Sequence, residues 1–183
     1  VVLKPLADAQ ADSNIIHGIV KGVAVAQDGT SASLTAPNGK AQEKLHRTAL
    51  ADAGMVGGQV DYLEAHGTGT ALGDPIEMNA LSAVMSEGRH EDHPLVMGAV
   101  KANIGHLECA AGMAGLIKTM MVLQHEEVTP NAELRTLNPK ISAVVDQSGF
   151  AVHFPGAMGG GSESLRHYSD KADEGEVMAA GVS

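Results

Sequence analysis

Residues 60–70 have the sequence VDYLEAHGTGT, in which an apolar, strand-like run ends in a turn of small residues. Residues 95–106, with the sequence LVMGAVKANIGH, repeat this arrangement. Each segment predicts a short strand that is followed by one histidine, His66 in the first and His106 in the second. Imidazole is the side chain best suited to proton transfer and hydrogen-bond donation near neutral pH. Two histidines at corresponding strand ends therefore indicate one site in which they converge.

The composition is that of a soluble globular protein, with 183 residues of which 44% are hydrophobic and 19% are charged. This length predicts roughly one domain with a core of its own. Aromatic residues make up only 2% of the sequence, so the core must be built from Ala, Val, Leu, Ile and Met. The net charge of −10 and the lack of a basic cluster argue against nucleic acid and anionic membranes as partners.

Cysteine usage and hydropathy bear on the cellular compartment. The single cysteine, Cys109, excludes an internal disulfide and is typical of a reducing compartment. No apolar run approaches the roughly 18 residues of a membrane-spanning helix. We expect a cytoplasmic protein, or one of an organelle stroma if a targeting segment has been cut away. The sequence begins at Val1 with neither an initiator methionine nor a signal peptide, so a fragment of a longer chain is expected.

Strands and helices alternate along the sequence, which predicts an α/β fold. A polar turn is expected at residues 8–14, strands at 1–3, 15–26, 60–64, 95–100 and 150–154, and helices at 41–53, 74–86 and 109–124. Asp74, Pro75 and Glu77 have the spacing of a capping box at the start of the second helix. The third helix is apolar on nearly all sides, so it is expected to lie between layers.

The two histidine segments resemble the histidine motifs of β-ketoacyl synthases. The first motif continues to the sequence GDPIE at residues 73–77, and the second is VKANIGH at residues 100–106, where the family usually has serine in place of Ala102. The sequences LTAPNG at residues 34–39 and NPKI at residues 138–141 resemble the modular polyketide synthase branch. The resemblance covers about residues 1–141. It implies a thiolase-like layered fold (α/β/α/β/α), represented by the C-terminal half and the end of the N-terminal half.

The resemblance also implies a reaction, the decarboxylative Claisen condensation of an acyl-cysteine with a malonyl group on an acyl carrier protein. His66 and His106 would stabilise the negative charge that forms on the thioester oxygen as carbon dioxide leaves. Lys101 would maintain the charge balance and orientation of the two histidines, although a structural ion pair is its alternative role. Thr68 and Thr70 would contact the phosphopantetheine arm of the carrier protein, and a turn or capping role is equally compatible with both.

No directly bound cofactor and no metal is expected, since the phosphopantetheine belongs to the carrier. The histidine- and acid-rich residues 90–93 are interpreted as a solvated loop rather than a metal site.

The sequence departs from the family pattern in its nucleophile and its ends. The nucleophilic cysteine of the family would precede Val1, and a glycine-rich turn with a phenylalanine would follow Ser183. The family usually has alanine at Cys109, so we expect a small buried residue there and not a nucleophile. The carboxylate that partners the motif lysine in fatty-acid-type members is replaced by Gly115.

Three regions are expected: a partial ketosynthase domain at residues 1–155, an insertion or linker at 156–176, and the start of a truncated strand at 177–183. We expect a segment that is inactive alone. Its partners would be the missing N-terminal half of the domain, an acyl carrier protein and, in the complete domain, a second copy in a homodimer. A decarboxylase-like or chain-length-factor-like subunit that lacks the nucleophile is the alternative. A plain carrier-binding module would leave the two histidines unexplained.

Overall fold

A four-stranded parallel sheet forms the centre of the structure, a computed structural model that describes residues 1–29, 37–156, 161–168 and 178–183. The helices are α1 (Leu6–Ala11), α2 (Gly39–Ala53), α3 (Gly73–Met85), α4 (Lys101–Ile104), α5 (Ala111–His125) and α6 (Pro139–Ser148). The strands are β1 (Tyr62–Glu64), β2 (Leu95–Gly98), β3 (Glu127–Val128), β4 (Val152–His153), β5 (Glu163–Ser164) and β6 (Ala180–Val182). The parallel sheet has the order β4-β2-β1-β6, while β3 and β5 pair separately as an antiparallel ribbon.

Helices cover both faces of the parallel sheet, as is usual for parallel strands. On one face, Leu63 and Met97 pack with α3, which in turn contacts α2 and α6. On the other face, Tyr62 and Val96 pack with Val122 of α5. Adjacent residues of one strand thus point to opposite faces, which follows from the two-residue period of a strand. The layered α/β class predicted from the sequence is confirmed.

The first predicted helix is confirmed as α2. The side chain of Asn38 accepts hydrogen bonds from the N–H groups of Lys40 and Ala41 at 3.1 and 3.3 Å, which starts α2. The helix ends at Gly54, whose φ of 66° lies in the left-handed region that glycine adopts without strain. Both signals are local, so the sequence alone was sufficient to place this element.

The predicted strands at residues 1–3 and 15–26 are wrong, and α1 occupies part of the predicted turn at 8–14. No strand is assigned anywhere in the described residues 1–29. Gly22 lies instead against α2, where an added Cβ would be 2.5 Å from the Ala49 carbonyl oxygen, and the Val23 N–H donates to Asp52 at 2.9 Å. A β-branched run becomes a strand only when a neighbouring strand completes its hydrogen bonds.

Helix α5 leaves apolar side chains exposed on the side away from the sheet, so the prediction that it lies between layers is wrong for the described chain. Ala111, Gly115, Thr119 and Val122 are buried toward the sheet. Met113, Ile117 and Met121 on the opposite side remain 46–49% exposed. Within the described residues the apolar side chains of the helix are buried on the sheet side only, and on the outer side Gln124 contacts His17 at 2.7 Å.

The C-terminal region is described in part. The expected insertion at 156–176 includes residues 157–160 and 169–176, which lie outside the described residues. Its described part contains β5, which pairs with β3, followed by a 3₁₀ turn at Leu165–Tyr168. Strand β6 adds to the edge of the parallel sheet beside β1. In the ranges that the structure describes, no helix has the length and apolar character needed to cross a lipid bilayer.

Candidate functional site

The two histidines come together at one edge of the parallel sheet. Strands β1 and β2 are parallel neighbours with Glu64 opposite Gly98, so the segments that follow them emerge side by side. The ring centroids of His66 and His106 are 5.7 Å apart, and the rings meet edge to face at 87°. Both residues are solvent-exposed in this chain. The arrangement leaves both imidazoles accessible to a ligand that approaches this edge.

Two carboxylates near the start of α3 hold the loop that carries His66. The Glu77 carboxylate accepts hydrogen bonds from the N–H of His66 at 2.7 Å and from the N–H of Gly67 at 2.9 Å. Asp74 accepts from the N–H of Gly69 at 3.1 Å, and burial raises the pKa of this carboxyl above its ordinary value although that hydrogen bond opposes the shift. The loop is thereby fixed by charge-assisted hydrogen bonds to its backbone.

The capping box predicted at Asp74 is therefore wrong. Helix α3 begins at Gly73 after Leu72, without a side-chain cap. Asp74 and Glu77 have the spacing of a capping box, but their oxygens bind N–H groups of the preceding loop rather than those of the helix. The sequence correctly singled out these two carboxylates. It assigned them the wrong hydrogen-bond donors, because the loop folds back onto the helix.

The hydrogen bonding of His106 fixes its tautomer. The backbone N–H of Glu108 donates to His106 Nδ1 at 3.0 Å. An accepting ring nitrogen carries no proton, so in the neutral imidazole the proton resides on Nε2. Nε2–H is therefore the group that His106 can donate to a ligand. Glu108 itself has a positive φ of 50°.

Sequence reasoning missed a buried charge cluster at the end of β1, two residues before His66. Glu64, the last residue of β1, accepts a hydrogen bond from the Tyr62 hydroxyl at 2.5 Å and lies 3.1 Å from the Lys118 ammonium on α5. Its other carboxylate oxygen accepts from the N–H of Val100. Burial and the neighbouring carboxylate raise the pKa of Tyr62 far above its ordinary value. Tyr62 is therefore a protonated hydrogen-bond donor.

The motif lysine stands apart from this cluster. Lys101 begins α4 and is half-buried, and the buried carboxylate in this region pairs with Lys118 instead. Gly115 stands where fatty-acid-type members of the family have a carboxylate. A Cβ added at Gly115 would lie 3.2 Å from Cγ of Glu64. The carboxylate of Glu64 therefore lies next to Gly115, the position that lacks the family's carboxylate.

The threonines of the first motif differ in their surroundings. Thr70 Oγ1 accepts a hydrogen bond from the N–H of Gly73 at 3.0 Å, which closes the turn before α3. Thr68 is half-buried, and its Oγ1 would lie 3.9 Å from a Cβ added at Gly73. The turn role that the sequence left open is thus occupied by Thr70. Contact of either hydroxyl with a phosphopantetheine arm stays a prediction.

Cys109 is exposed, so the expectation of a small buried residue is wrong for the described chain. It lies in the 3₁₀ turn Glu108–Ala110 between the His106 turn and α5. None of the residues that the structure describes covers this turn, whose three members are all exposed.

A family model described as beta-ketoacyl synthase, C-terminal domain, matches residues 17–135, a range that includes both histidines and Lys101. The chain belongs to the β-ketoacyl synthase family.

The relatives of this synthase segment are polyketide synthases. It is 53% identical over 141 residues to a phenolphthiocerol/phthiocerol polyketide synthase from Mycobacterium bovis, which corresponds to 77% of this chain and 8% of that protein. It is 51% identical over 141 residues to highly reducing polyketide synthase 40 of Fusarium mangiferae, or 77% of this chain and 6% of that protein. The chain therefore spans less than a tenth of the length of these relatives.

Solved ketosynthases have the same fold. The oxazolomycin ketosynthase domain from Streptomyces albus matches with a TM-score of 0.80 and 33% identity, over 98% of this chain and 30% of that chain. The ketosynthase from module 6 of the bacillaene synthase from Bacillus subtilis matches with a TM-score of 0.79 and 33% identity, again over 98% of this chain and 30% of that chain. The thiolase-like layered fold implied by the motifs is thereby confirmed.

Proposed function

We propose that this synthase segment supplies the histidine pair of a 3-oxoacyl synthase. The reaction is the decarboxylative Claisen condensation of an acyl-enzyme thioester with malonyl-acyl carrier protein. The observation that carries the proposal is the edge-to-face pair of His66 and His106 at the ends of neighbouring parallel strands, 5.7 Å apart. Membership in the β-ketoacyl synthase family and the similarity to polyketide synthases support this reaction.

The chemistry assigns a role to each imidazole. When the bond between the malonyl α-carbon and its carboxylate breaks, the electron pair remains on the α-carbon and negative charge develops on the thioester oxygen. Hydrogen-bond donors aimed at that oxygen stabilise the enolate. The Nε2–H of His106 is available for this purpose because Nδ1 is occupied by Glu108. His66 provides the second donor, and Lys101 orients the pair and balances its charge.

The remaining steps need groups that we do not assign to residues 1–183. The enolate carbon attacks the carbonyl of the acyl thioester, and the cysteine thiolate leaves as the new carbon–carbon bond forms. We place that cysteine outside these residues, because Cys109 stands where the family usually has alanine. The 183-residue chain alone is therefore expected to form no acyl-enzyme. The exposed residues Met113, Ile117 and Met121 of α5 are the surface against which the other part of the synthase would pack.

The carrier protein and its arm are the partners that the open histidine edge would accommodate. The malonyl thioester hangs from a phosphopantetheine arm, whose reach would bring it to Thr68 and Thr70 beside His66. No cofactor of the synthase itself takes part in this scheme, since the thioester belongs to the carrier. A homodimer of the complete synthase belongs to the same proposal.

A direct assay tests this function. The product of the full-length reading frame that contains the segment is incubated with an acyl thioester and malonyl-acyl carrier protein. We expect a 3-oxoacyl-carrier product by mass spectrometry, with one molecule of carbon dioxide released for each product. Neither release nor product would overturn the proposal. Release of carbon dioxide without a condensation product would favour the nucleophile-lacking subunit instead.

Replacement of Cys109 by alanine separates the two possible locations of the nucleophile. We expect the C109A variant of the full-length protein to retain its acyl loading and its condensation rate, because the thiol has no assigned step. Intact-protein mass spectrometry after incubation with the acyl thioester measures the loading. A variant that no longer gains the mass of the acyl group would place the nucleophile at Cys109 and contradict this assignment.

A further inference from the structure

The carboxylate of Glu64 is buried although it carries charge and belongs to no step of the proposed reaction. Its side chain is 1% exposed, and the side chain of its partner Lys118 is 12% exposed. Removal of such a pair from water costs free energy that the mutual attraction does not fully return, so a buried ion pair is weak evidence for stability. Its location is informative, because Glu64 immediately precedes the loop that carries His66.

The contacts of Glu64 join three parts of the fold. One carboxylate oxygen accepts from the Tyr62 hydroxyl at 2.5 Å and faces the Lys118 ammonium at 3.1 Å. The other oxygen accepts from the N–H of Val100, the residue that precedes α4 and the His106 turn. The same side chain therefore connects the end of β1, which leads to His66, with the segment after β2, which leads to His106.

Glycines make room for this cluster from two sides. A Cβ added at Gly98 would lie 2.1 Å from the Tyr62 hydroxyl oxygen and 2.8 Å from Lys118 Nζ. A Cβ added at Gly115 would lie 3.2 Å from Cγ of Glu64. The packing around the carboxylate is so tight that one added methyl group at Gly98 would displace Tyr62 and Lys118. This close packing holds the carboxylate in one orientation.

We propose that Glu64 is a positioning residue that fixes the spacing of the two histidines, with Tyr62 and Lys118 holding its carboxylate in place. The inference rests on the proposed function, because it concerns the same histidine pair. The link to Val100 adds a side-chain connection between the segments that follow β1 and β2, where the backbone contact is Ala65 N–H to the Gly98 carbonyl at 2.8 Å. Loss of that connection would let the His106 turn move relative to His66.

The test uses Glu64→Gln in the full-length protein, with Glu126→Gln as the matched control. The first substitution retains the size of the side chain but places a neutral amide against Lys118. Glu126 is likewise paired with a basic residue, Arg166, but lies after the far end of α5. A displacement of about 1 Å in a catalytic group costs up to roughly 100-fold in rate, so we expect kcat to fall about 10- to 100-fold in E64Q with KM for malonyl-acyl carrier protein unchanged. The control should leave both values as they are.

A second readout does not require activity. In a carbon–proton NMR spectrum of the imidazole rings, E64Q should shift the His66 and His106 resonances, and E126Q should not. If the wild-type protein proves inactive, the proposed function fails and the ring resonances alone decide the positioning role.

Tyr62→Phe is the second variant, because it retains both charges and removes only the hydroxyl that orients Glu64. We expect it to shift the same two resonances and to lower kcat less than E64Q does. If E64Q does not fold, the Tyr62→Phe variant tests the positioning role on its own. Variants that retain wild-type kcat and unshifted histidine resonances, or that lower only the unfolding temperature, would overturn the proposal.

Discussion

Replacement of His106 by alanine is expected to lower the rate of malonyl-thioester decarboxylation by about 100- to 1,000-fold, the usual cost of removing one donor from an oxyanion site. The reason is the Nε2–H of His106, whose availability is set by the Glu108 bond to Nδ1. Release of carbon dioxide from malonyl-acyl carrier protein by the full-length protein measures this step. His90→Ala is the matched control, since His90 is an exposed loop residue, and it should leave the rate unchanged.

Two further variants distinguish the donor from the turn that holds it. In His106→Asn the side-chain oxygen can still accept from the Glu108 N–H, but no donor reaches the Nε2 position, so the loss should equal that of alanine. In His106→Gln the amide N–H can approach that position, so part of the rate should return. Equal activity of the asparagine variant and the wild type would contradict a donor role for Nε2.

His66 and His106 should also behave as a unit. Residues that act on one developing charge show strongly non-additive losses, so the variant lacking both imidazoles should be little slower than the slower single variant. A double variant that loses the full product of the two single effects would indicate two separate sites, contrary to the geometry of the ring pair.

Replacement of Gly57 by alanine is expected to lower the free energy of unfolding by about 3 kcal/mol, the upper part of the range for overpacking. An added Cβ would lie 2.2 Å from the Val84 carbonyl oxygen and 2.6 Å from the Met85 Cα, and backbone atoms cannot turn aside as a side chain can. The last turn of α3 would have to move away from the segment that enters β1. Arg89 donates to the carbonyls of both Gly57 and Val60 at 2.7 Å, and this displacement would disturb those bonds.

Thermal unfolding of the full-length protein, followed by circular dichroism, measures this effect. The expected loss should appear as a lower Tm of the unfolding transition that includes this segment. Gly112→Ala is the control within α5, because no described atom lies within 4 Å of the added Cβ. It should leave Tm unchanged or raise it slightly, since alanine is the better helix former. An unchanged Tm in G57A would contradict the close packing of this crossing.

The elements that could be predicted from sequence are those whose signals lie within a few residues. Asn38 and Gly54 bound α2 by contacts with their own helix. The strand ends before His66 and His106 were also predictable, because an apolar run and a small-residue turn follow one another directly. In each case the residues that carry the signal are also those that form the structure.

The errors arose where a segment needs a partner from elsewhere in the chain. The β-branched residues 15–26 favour a strand, but no neighbouring strand completes their hydrogen bonds in the described chain. Asp74 and Glu77 have the pattern of a cap, yet the unsatisfied N–H groups closest to them belong to the His66 loop. Local propensity limits the conformations and hydrogen bonds that a residue can adopt, and long-range contacts determine which of them forms.

The sequence by itself determined the family, the two histidines and the parallel strands that end at them. Only the tertiary structure decided that the buried partners of Glu64 are Tyr62, Lys118 and the Val100 N–H, and that His106 presents Nε2–H. The physical reason is that a buried charge must find its compensation within a few ångströms in space. Lys118 is far from Glu64 along the chain, so no spacing in the sequence pairs the two residues.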